Sequence, residues 1–327
     1  MYYPVLFEKD LLTKPVPVKL NQQHYVVWKS IKGIYALPNR CSHRGARLSD
    51  GRLVGSKLEC PYHGWQFQAN GKCTKIPQWD ASQKIPGACH LNKVFTHLQD
   101  GIVWISHTNG LFQPYTTSYN NNPDYFVSNY YLEAPYNYYL QIENLLDPAH
   151  LHFIHHGFQG NRERASEIKL TKWFQNNYEL YGYFEHTNKD TPDIEIRFIK
   201  PSIVDVSIYH KTSKQLLRKN IIYVSSRDDQ TCNVLFRDVA LKESLIPKSN
   251  VFVDFHRRMV MNQPFIQDHY EFINQEVIER IMDQDIQVLV GQQLNDPNYE
   301  TSKYVMPTEY DRLIIEFRKW IKNITIK

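Results

Sequence analysis

Two short clusters of Cys and His, Cys41-Ser42-His43 and Cys60-Pro61-Tyr62-His63, stand sixteen residues apart in a chain of 327 residues. Each cluster holds one thiol and one imidazole. Together they offer two soft thiolates and two imidazoles, the ligand set of a [2Fe–2S] centre in which the sulfurs hold one iron and the histidines the other. A zinc site of two cysteines and two histidines uses the same donors, but zinc spacing usually pairs like with like, C-x2-C and then H-x3-5-H. Mixed halves favour the cluster. Arg44-Gly45 follow the first pair and Gly64-Trp65 the second. Two such turns can aim backbone amides at cluster sulfurs, which raises the reduction potential.

A second concentration of metal-binding side chains lies at 143–156, ENLLDPAHLHFIHH, with four histidines and two carboxylates in fourteen residues. A mononuclear Fe(II) site for oxygen chemistry takes two His and one carboxylate and leaves positions open for O2. Helical spacing alone does not choose among the histidines. Asp147 and His150 share a face at i, i+3, and His152 and His156 form an i, i+4 pair. His150 and His155 are five apart, which requires a π-bulge or a helix that ends between them. Pro148 is tolerated in a first turn or at a kink.

CSHRGA followed by CPYHGWQF and GKCTKIP resembles the N-terminal domain of the Rieske non-haem iron oxygenases, with Ser42 where Pro is frequent in that family. Asn144-x2-Asp147-x2-His150-x4-His155 is similar to the N-x2-D-x2-H-x4-H motif of their catalytic domains. The resemblance implies that Cys41, His43, Cys60 and His63 hold the cluster and that His150 and His155 bind the mononuclear iron. It implies that Asp147 lies between the two metal centres, with Asn144 beside it. His152 and His156 read as solvated or core histidines. Asp283-Gln284-Asp285-Ile286, followed by Gln292-Gln293, looks like the family's late acidic segment, [EQ]-D-x5-6-Q, which assigns Asp285 as third ligand, with Asp283 as the alternative.

The likeness covers nearly the whole chain and is greatest to the vanillate and dicamba demethylases, the pheophorbide-type oxygenases and the cyanobacterial hydroxylases of toxin pathways. The membrane anchor and CxxC of the plant pheophorbide-type enzymes are absent, which disfavours that subgroup. The activity so implied is that of a terminal oxygenase: O2 and external electrons monohydroxylate a small cyclic organic substrate, or remove an O- or N-methyl group. A homotrimer is implied, because cluster and iron of one chain would otherwise be too far apart. No Gly-rich nucleotide loop occurs, so electrons come from a separate ferredoxin or NAD(P)H flavin reductase. The competing readings are a Rieske electron carrier or redox sensor without the second iron, and a Rieske desaturase or sterol-type oxygenase.

The elements that must position these residues follow from the pattern. Residues 1–112 read as an all-β domain of short strands, among them His24–Lys29, Ile34–Leu37, Leu53–Cys60 and Gly101–Ser106. The polar, Asn- and Pro-containing stretch 113–124 reads as a linker. Residues 125–327 read as a catalytic α+β domain, an antiparallel sheet flanked by helices and helix-grip-like by resemblance. Its extended run is Phe126–Ala134, its first helix Tyr139–His156, and its further strands Leu180–His186, Asp193–Ile199, Ile203–His210, Asn220–Ser225 and Cys232–Ala240. Gln263–Leu294 has helical period, with Phe272, Val277, Ile281, Ile286, Leu289 and Val290 as its apolar positions, and Glu309–Lys322 makes a last helix. The aromatics of 125–139 suit either a pocket for a planar or cationic molecule or ordinary strand positions.

Composition sets the outer limits. The apolar fraction of 42% with 22% charged residues supports a real core. The net charge of +4 comes from scattered Lys and Arg, so no basic stripe argues for nucleic acid. No apolar run reaches the length of a membrane span, and MYYPVLFEKD lacks the pattern of a signal peptide. The expected compartment is the cytoplasm. Cys73, Cys89 and Cys232 are left over, an odd number without regular spacing and no disulfide framework.

Overall fold

Ten short strands in three antiparallel sheets build residues 1–110. The computed structural model describes residues 1–110, 115, 119, 122–158, 160–242, 264–299 and 301–325. The expected linker at 113–124 falls largely outside these, as do residues 111–112 and Gln263. Two compact units are present, Met1–Thr117 with Ser225–Asp229, and Ser118–Val224 with Gln230–Lys327. No described helix is long and apolar enough to cross a membrane.

In the first unit, β1 (Tyr3–Phe7), β2 (Val16–Leu20), β3 (Gln23–Ser30), β4 (Gly33–Pro38), β5 (Arg52–Val54), β6 (Lys57–Glu59), β7 (Gln66–Phe67), β8 (Cys73–Lys75), β9 (Phe95–Gln99) and β10 (Ile102–Ser106) pair in the orders β1-β10-β9, β2-β3-β4 and β5-β6-β7-β8. The expected single strand Leu53–Cys60 is in fact the hairpin β5–β6, turning at Gly55-Ser56. One apolar core holds Val5, Val27 and Val103. A second, around Trp28, Leu48, Leu58 and Phe67, includes both Cys41 and Cys60. The two thiols are thus part of a packed floor that anchors their loops.

The second unit is a seven-stranded antiparallel sheet with helices. Its strands are β11 (Tyr125–Ala134), β12 (Ile168–Gln175), β13 (Glu179–His186), β14 (Asp193–Ile199), β15 (Ile203–Tyr209), β16 (Leu216–Ser226) and β17 (Cys232–Leu241), in the order β11-β17-β16-β15-β14-β13-β12. Strict alternation along β13 buries Leu180, Gly182, Phe184 and His186 on one face, the period-two signature of a half-covered sheet. The strand reading missed β12, whose eight residues are mostly exposed and therefore do not alternate.

Among the described residues, four α-helices accompany the sheet: α1 (Tyr138–Leu146), α2 (Leu151–Ile154), α3 (Pro264–Asn295) and α4 (Arg312–Thr325). In α4, Leu313, Ile314, Phe317 and Ile321 recur at helical spacing and join the core, each worth about 1.5–3 kcal/mol on burial. In α3, Ile278, Ile281, Met282, Asp285 and Leu289 form the buried stripe, whereas Phe272, expected to be apolar and inward, is 63% exposed. A carboxylate in that stripe is costly unless something compensates its charge.

Candidate metal centres

The Cys41 and Cys60 loops are built alike. Cys41 N–H donates to Ala46 O at 2.9 Å and Gly45 N–H returns to Cys41 O at 3.0 Å, while Cys60 N–H donates to Trp65 O at 2.8 Å and Gly64 N–H to Cys60 O at 3.1 Å. The fifth residue of each loop is a glycine with φ of +74° and +71°, a backbone state that side-chain-bearing residues seldom adopt. Both thiols are buried and both histidines lie on the outer side, with imidazole centroids 4.6 Å apart. Burial, with a contribution from the adjacent Cys60, pushes the Cys41 thiol up to about 11. Two converging thiols inside and two imidazoles outside fit a cluster held by sulfur on one iron and nitrogen on the other. Trp65 stacks on His43 at 4.7 Å with the planes 2° apart, and Ser42 Oγ donates to Cys89 O at 2.7 Å. All five cysteines are free thiols.

In the second unit the sequence expectation of one helix over Tyr139–His156 is corrected to two. Proline has no N–H to donate, so α1 ends at Leu146 and the chain turns at Asp147-Pro148. Asp147 organises the turn: Oδ1 accepts from Ala149 N–H at 2.7 Å, and its carbonyl accepts from His150 Nδ1 at 2.7 Å. The short α2 then lies between His150 and His155, the residues that flank it on either side. The helix ends between the two histidines, and no π-bulge is needed.

His150, His155 and Asp285 converge, one ligand atom from each lying within 4.8 Å of the others. Asp285 Oδ1 stands 3.4 Å from His155 Nε2, is buried, and has no hydrogen-bond partner. Burial pushes the Asp285 carboxyl up to about 7, opposed by a hydrogen bond from Asn144. Burial holds His150 down at about 4 and lowers His155 as well, so both imidazoles are neutral at physiological pH. Their Nδ1 atoms are engaged, by Asp147 O and by Gln284 Oε1, leaving Nε2 lone pairs for a cation. An orphaned buried carboxylate oxygen beside two neutral imidazoles fits Fe(II). Asp283 is exposed and outside the group.

His152 and His156 also lie outside it. His152 Nδ1 accepts from Asn161 N–H at 3.3 Å, and His156 Nδ1 from Arg162 N–H at 3.1 Å. Asn144 is buried and its side chain hydrogen-bonds Asp285. Sequence reasoning passed over Gln284, although it is the first residue of the [EQ]-D pair. It also missed Glu143, which is held by Arg318 through Nε at 2.6 Å and Nη2 at 3.1 Å and by the Tyr299 hydroxyl.

A cavity of about 520 Å³ reaches His150 and Asp147, with Glu143, Gln292, Tyr299 and Tyr304 among its walls. Of the described residues lining it, none comes from 125–139. Four of those aromatics are strand residues of β11, where Phe126 stacks on Tyr270 and the Tyr131 hydroxyl donates to Asn233, while Tyr136 is buried just beyond the strand and Tyr138 and Tyr139 open α1.

Two family models match the chain, the Rieske [2Fe-2S] domain over residues 1–89 and the vanillate O-demethylase oxygenase C-terminal domain over residues 134–325. Protein TIC 55 of Arabidopsis thaliana, a chloroplastic protein, is 35% identical across 51% of this chain and 32% of its own length. Pheophorbide a oxygenase of the same plant, also chloroplastic, is 26% identical across 98% of this chain and 63% of its own length. The chain thus spans less than two thirds of either relative. The structure of Pseudomonas putida NdmA with caffeine superposes at a TM-score of 0.76 with 20% identity, covering 98% of this chain and 89% of that one, a likeness of fold. With a cluster-bearing domain followed by an oxygenase domain whose family model takes in more than half of its length, the chain belongs to the Rieske non-haem iron oxygenases.

Proposed function

We propose that this protein is the terminal oxygenase of a multicomponent system, acting on a small cyclic organic molecule that carries an oxidisable C–H bond. The observation that carries the proposal is the pairing, in one chain, of a cluster site of two cysteines and two histidines with a buried group of two histidines and one carboxylate that has open space beside it. With Cys41, His43, Cys60 and His63 holding the cluster and His150, His155 and Asp285 the iron, the two centres supply one-electron delivery and O2 activation. The balance is R–H + O2 + 2 e⁻ + 2 H⁺ → R–OH + H2O. A hydroxylated methyl on oxygen or nitrogen then leaves as formaldehyde, which makes demethylation the same reaction. The vanillate O-demethylase family match and the fold of a caffeine-bound protein support substrates of this class.

The reading includes residues 1–112 as the cluster domain, 113–124 as linker and 125–327 as the catalytic domain. It includes a separate ferredoxin or NAD(P)H flavin reductase and a cytoplasmic location. It also includes a homotrimer in which the cluster of one copy serves the iron of the next. His43 and Tyr62 are exposed at the tip of the cluster loops beside Arg44, and the cavity walls carry Asp147 and Asp296, a complementary charge. Asp147 would then accept from a cluster-ligand imidazole of the neighbouring copy.

Anaerobic iron and acid-labile sulfide analysis with EPR tests the proposal, on wild type and on His150→Ala. Three irons per chain falling to two, with an unchanged Rieske signal, supports it. Two irons in both proteins sinks it and leaves an electron carrier.

A further inference from the structure

His155 is 1% exposed, and consecutive residues of α3 reach both edges of its ring. Gln284 Oε1 accepts from Nδ1 at 3.0 Å, and Asp285 Oδ1 lies 3.4 Å from Nε2. The second contact belongs to the metal group. The first has no part in ligation, and it decides what the second can do.

A neutral imidazole carries one N–H, on either nitrogen. An acceptor fixed at Nδ1 keeps the proton there and leaves the lone pair on Nε2, facing Asp285. It also stops the ring from turning about its Cβ–Cγ bond. His150 is treated in the same way by the Asp147 carbonyl. Both acceptors are neutral, so Asp285 is the one anionic ligand of the three. Of the two acceptors only Gln284 is a side chain, and so only there can substitution remove the acceptor of a ligand imidazole.

We propose that Gln284 is a positioning residue of the mononuclear centre: its amide oxygen sets the tautomer and rotation of His155 and through them the affinity for the metal. The proposal rests on the reading of His150, His155 and Asp285 as a metal site. Partners of this kind are worth about 10–100-fold in metal affinity.

The test is anaerobic titration with Fe(II), and separately with Co(II) followed by its visible absorption, of full-length protein that retains its cluster but has lost the mononuclear metal. Wild type, Gln284→Leu, Gln284→Glu and His155→Ala are compared, with the cluster's absorption and EPR signal as the control for folding. Gln284→Leu is expected to bind both metals about 10–100-fold more weakly, and Gln284→Glu, which still accepts at Nδ1, as tightly as wild type or more so. Wild-type affinity in Gln284→Leu overturns the proposal. So does an equal loss in Gln284→Glu, which would make the side chain's role one of shape. His155→Ala separates the two levels of inference. Loss of binding there, beside normal binding in Gln284→Leu, rejects Gln284 alone, whereas normal binding in both rejects the metal site.

Discussion

Asp285 Oδ1 lies 3.4 Å from His155 Nε2, buried and without a hydrogen-bond donor, although it occupies the apolar stripe of α3. A buried carboxylate oxygen left without a partner costs stability, on the order of 1–3 kcal/mol or more for a charged group. A cation between the two atoms removes that cost. Asp285→Asn should therefore lose the mononuclear metal while keeping the cluster. Asp283→Asn, at an exposed position two residues away, should keep both. Metal analysis of the two variants checks this, and a loss in Asp283→Asn would reassign the ligand.

Metal affinity should depend on pH through Asp285. In the metal-free protein burial holds its proton up to a pH of about 7, while His150 is neutral down to about 4. Near that pH, binding must displace the carboxyl proton, since burial lowers both imidazoles. Affinity should rise about tenfold per pH unit below about 7 and level off above it. Co(II) titrations across that range in non-coordinating buffers measure the slope. A flat profile would mean that the metal does not meet Asp285.

Arg318 neutralises Glu143 through two hydrogen bonds, with both side chains largely buried. Removing one partner leaves a buried charge. Arg318→Ala should lower unfolding stability by about 3–5 kcal/mol, and Glu143→Leu combined with Arg318→Leu should recover much of it. Thermal and denaturant unfolding with the cluster intact provides the comparison. Because Glu143 precedes Asn144 on α1, the single variant should also bind metal more weakly.

Electron delivery between copies can be separated from delivery within one. Cys60→Ser should abolish the cluster and His150→Ala the iron site, and each homo-oligomer should be inactive with substrate and reductase. Co-assembled from the two chains, a trimer wired between neighbours regains activity; a mixture that stays dead would mean that each chain reduces itself. With both metal sites loaded, Asp147→Asn should leave iron content and EPR unchanged while turnover drops about 10–100-fold.

The candidate cluster ligands and most of the candidate iron site are legible in the sequence because their chemistry is local. A CxH and a CxxH place thiol and imidazole on one tight turn whatever surrounds them, and the turn glycines are printed beside them. The same holds for His150 and His155, which α2 alone brings together once Pro148 has ended α1. What fails in the sequence is whatever depends on a distant face. The β12 strand is exposed and carries no alternation, and the aromatics of 125–139 look the same in a pocket or a strand.

Asp283 and Asp285 are equivalent as letters, yet they point about 200° apart around a helix. Only the packing of α3 decides which of them is buried. Gln284 meets His155 across 129 positions, and Arg318 meets Glu143 across 175. The sequence by itself determined which metals' chemistry this protein carries, since donor type and short spacing are covalent facts. Tertiary structure decided which carboxylate is buried beside His150 and His155 and which amide accepts from His155 Nδ1, because those contacts exist only once helices from opposite ends of the domain share one core.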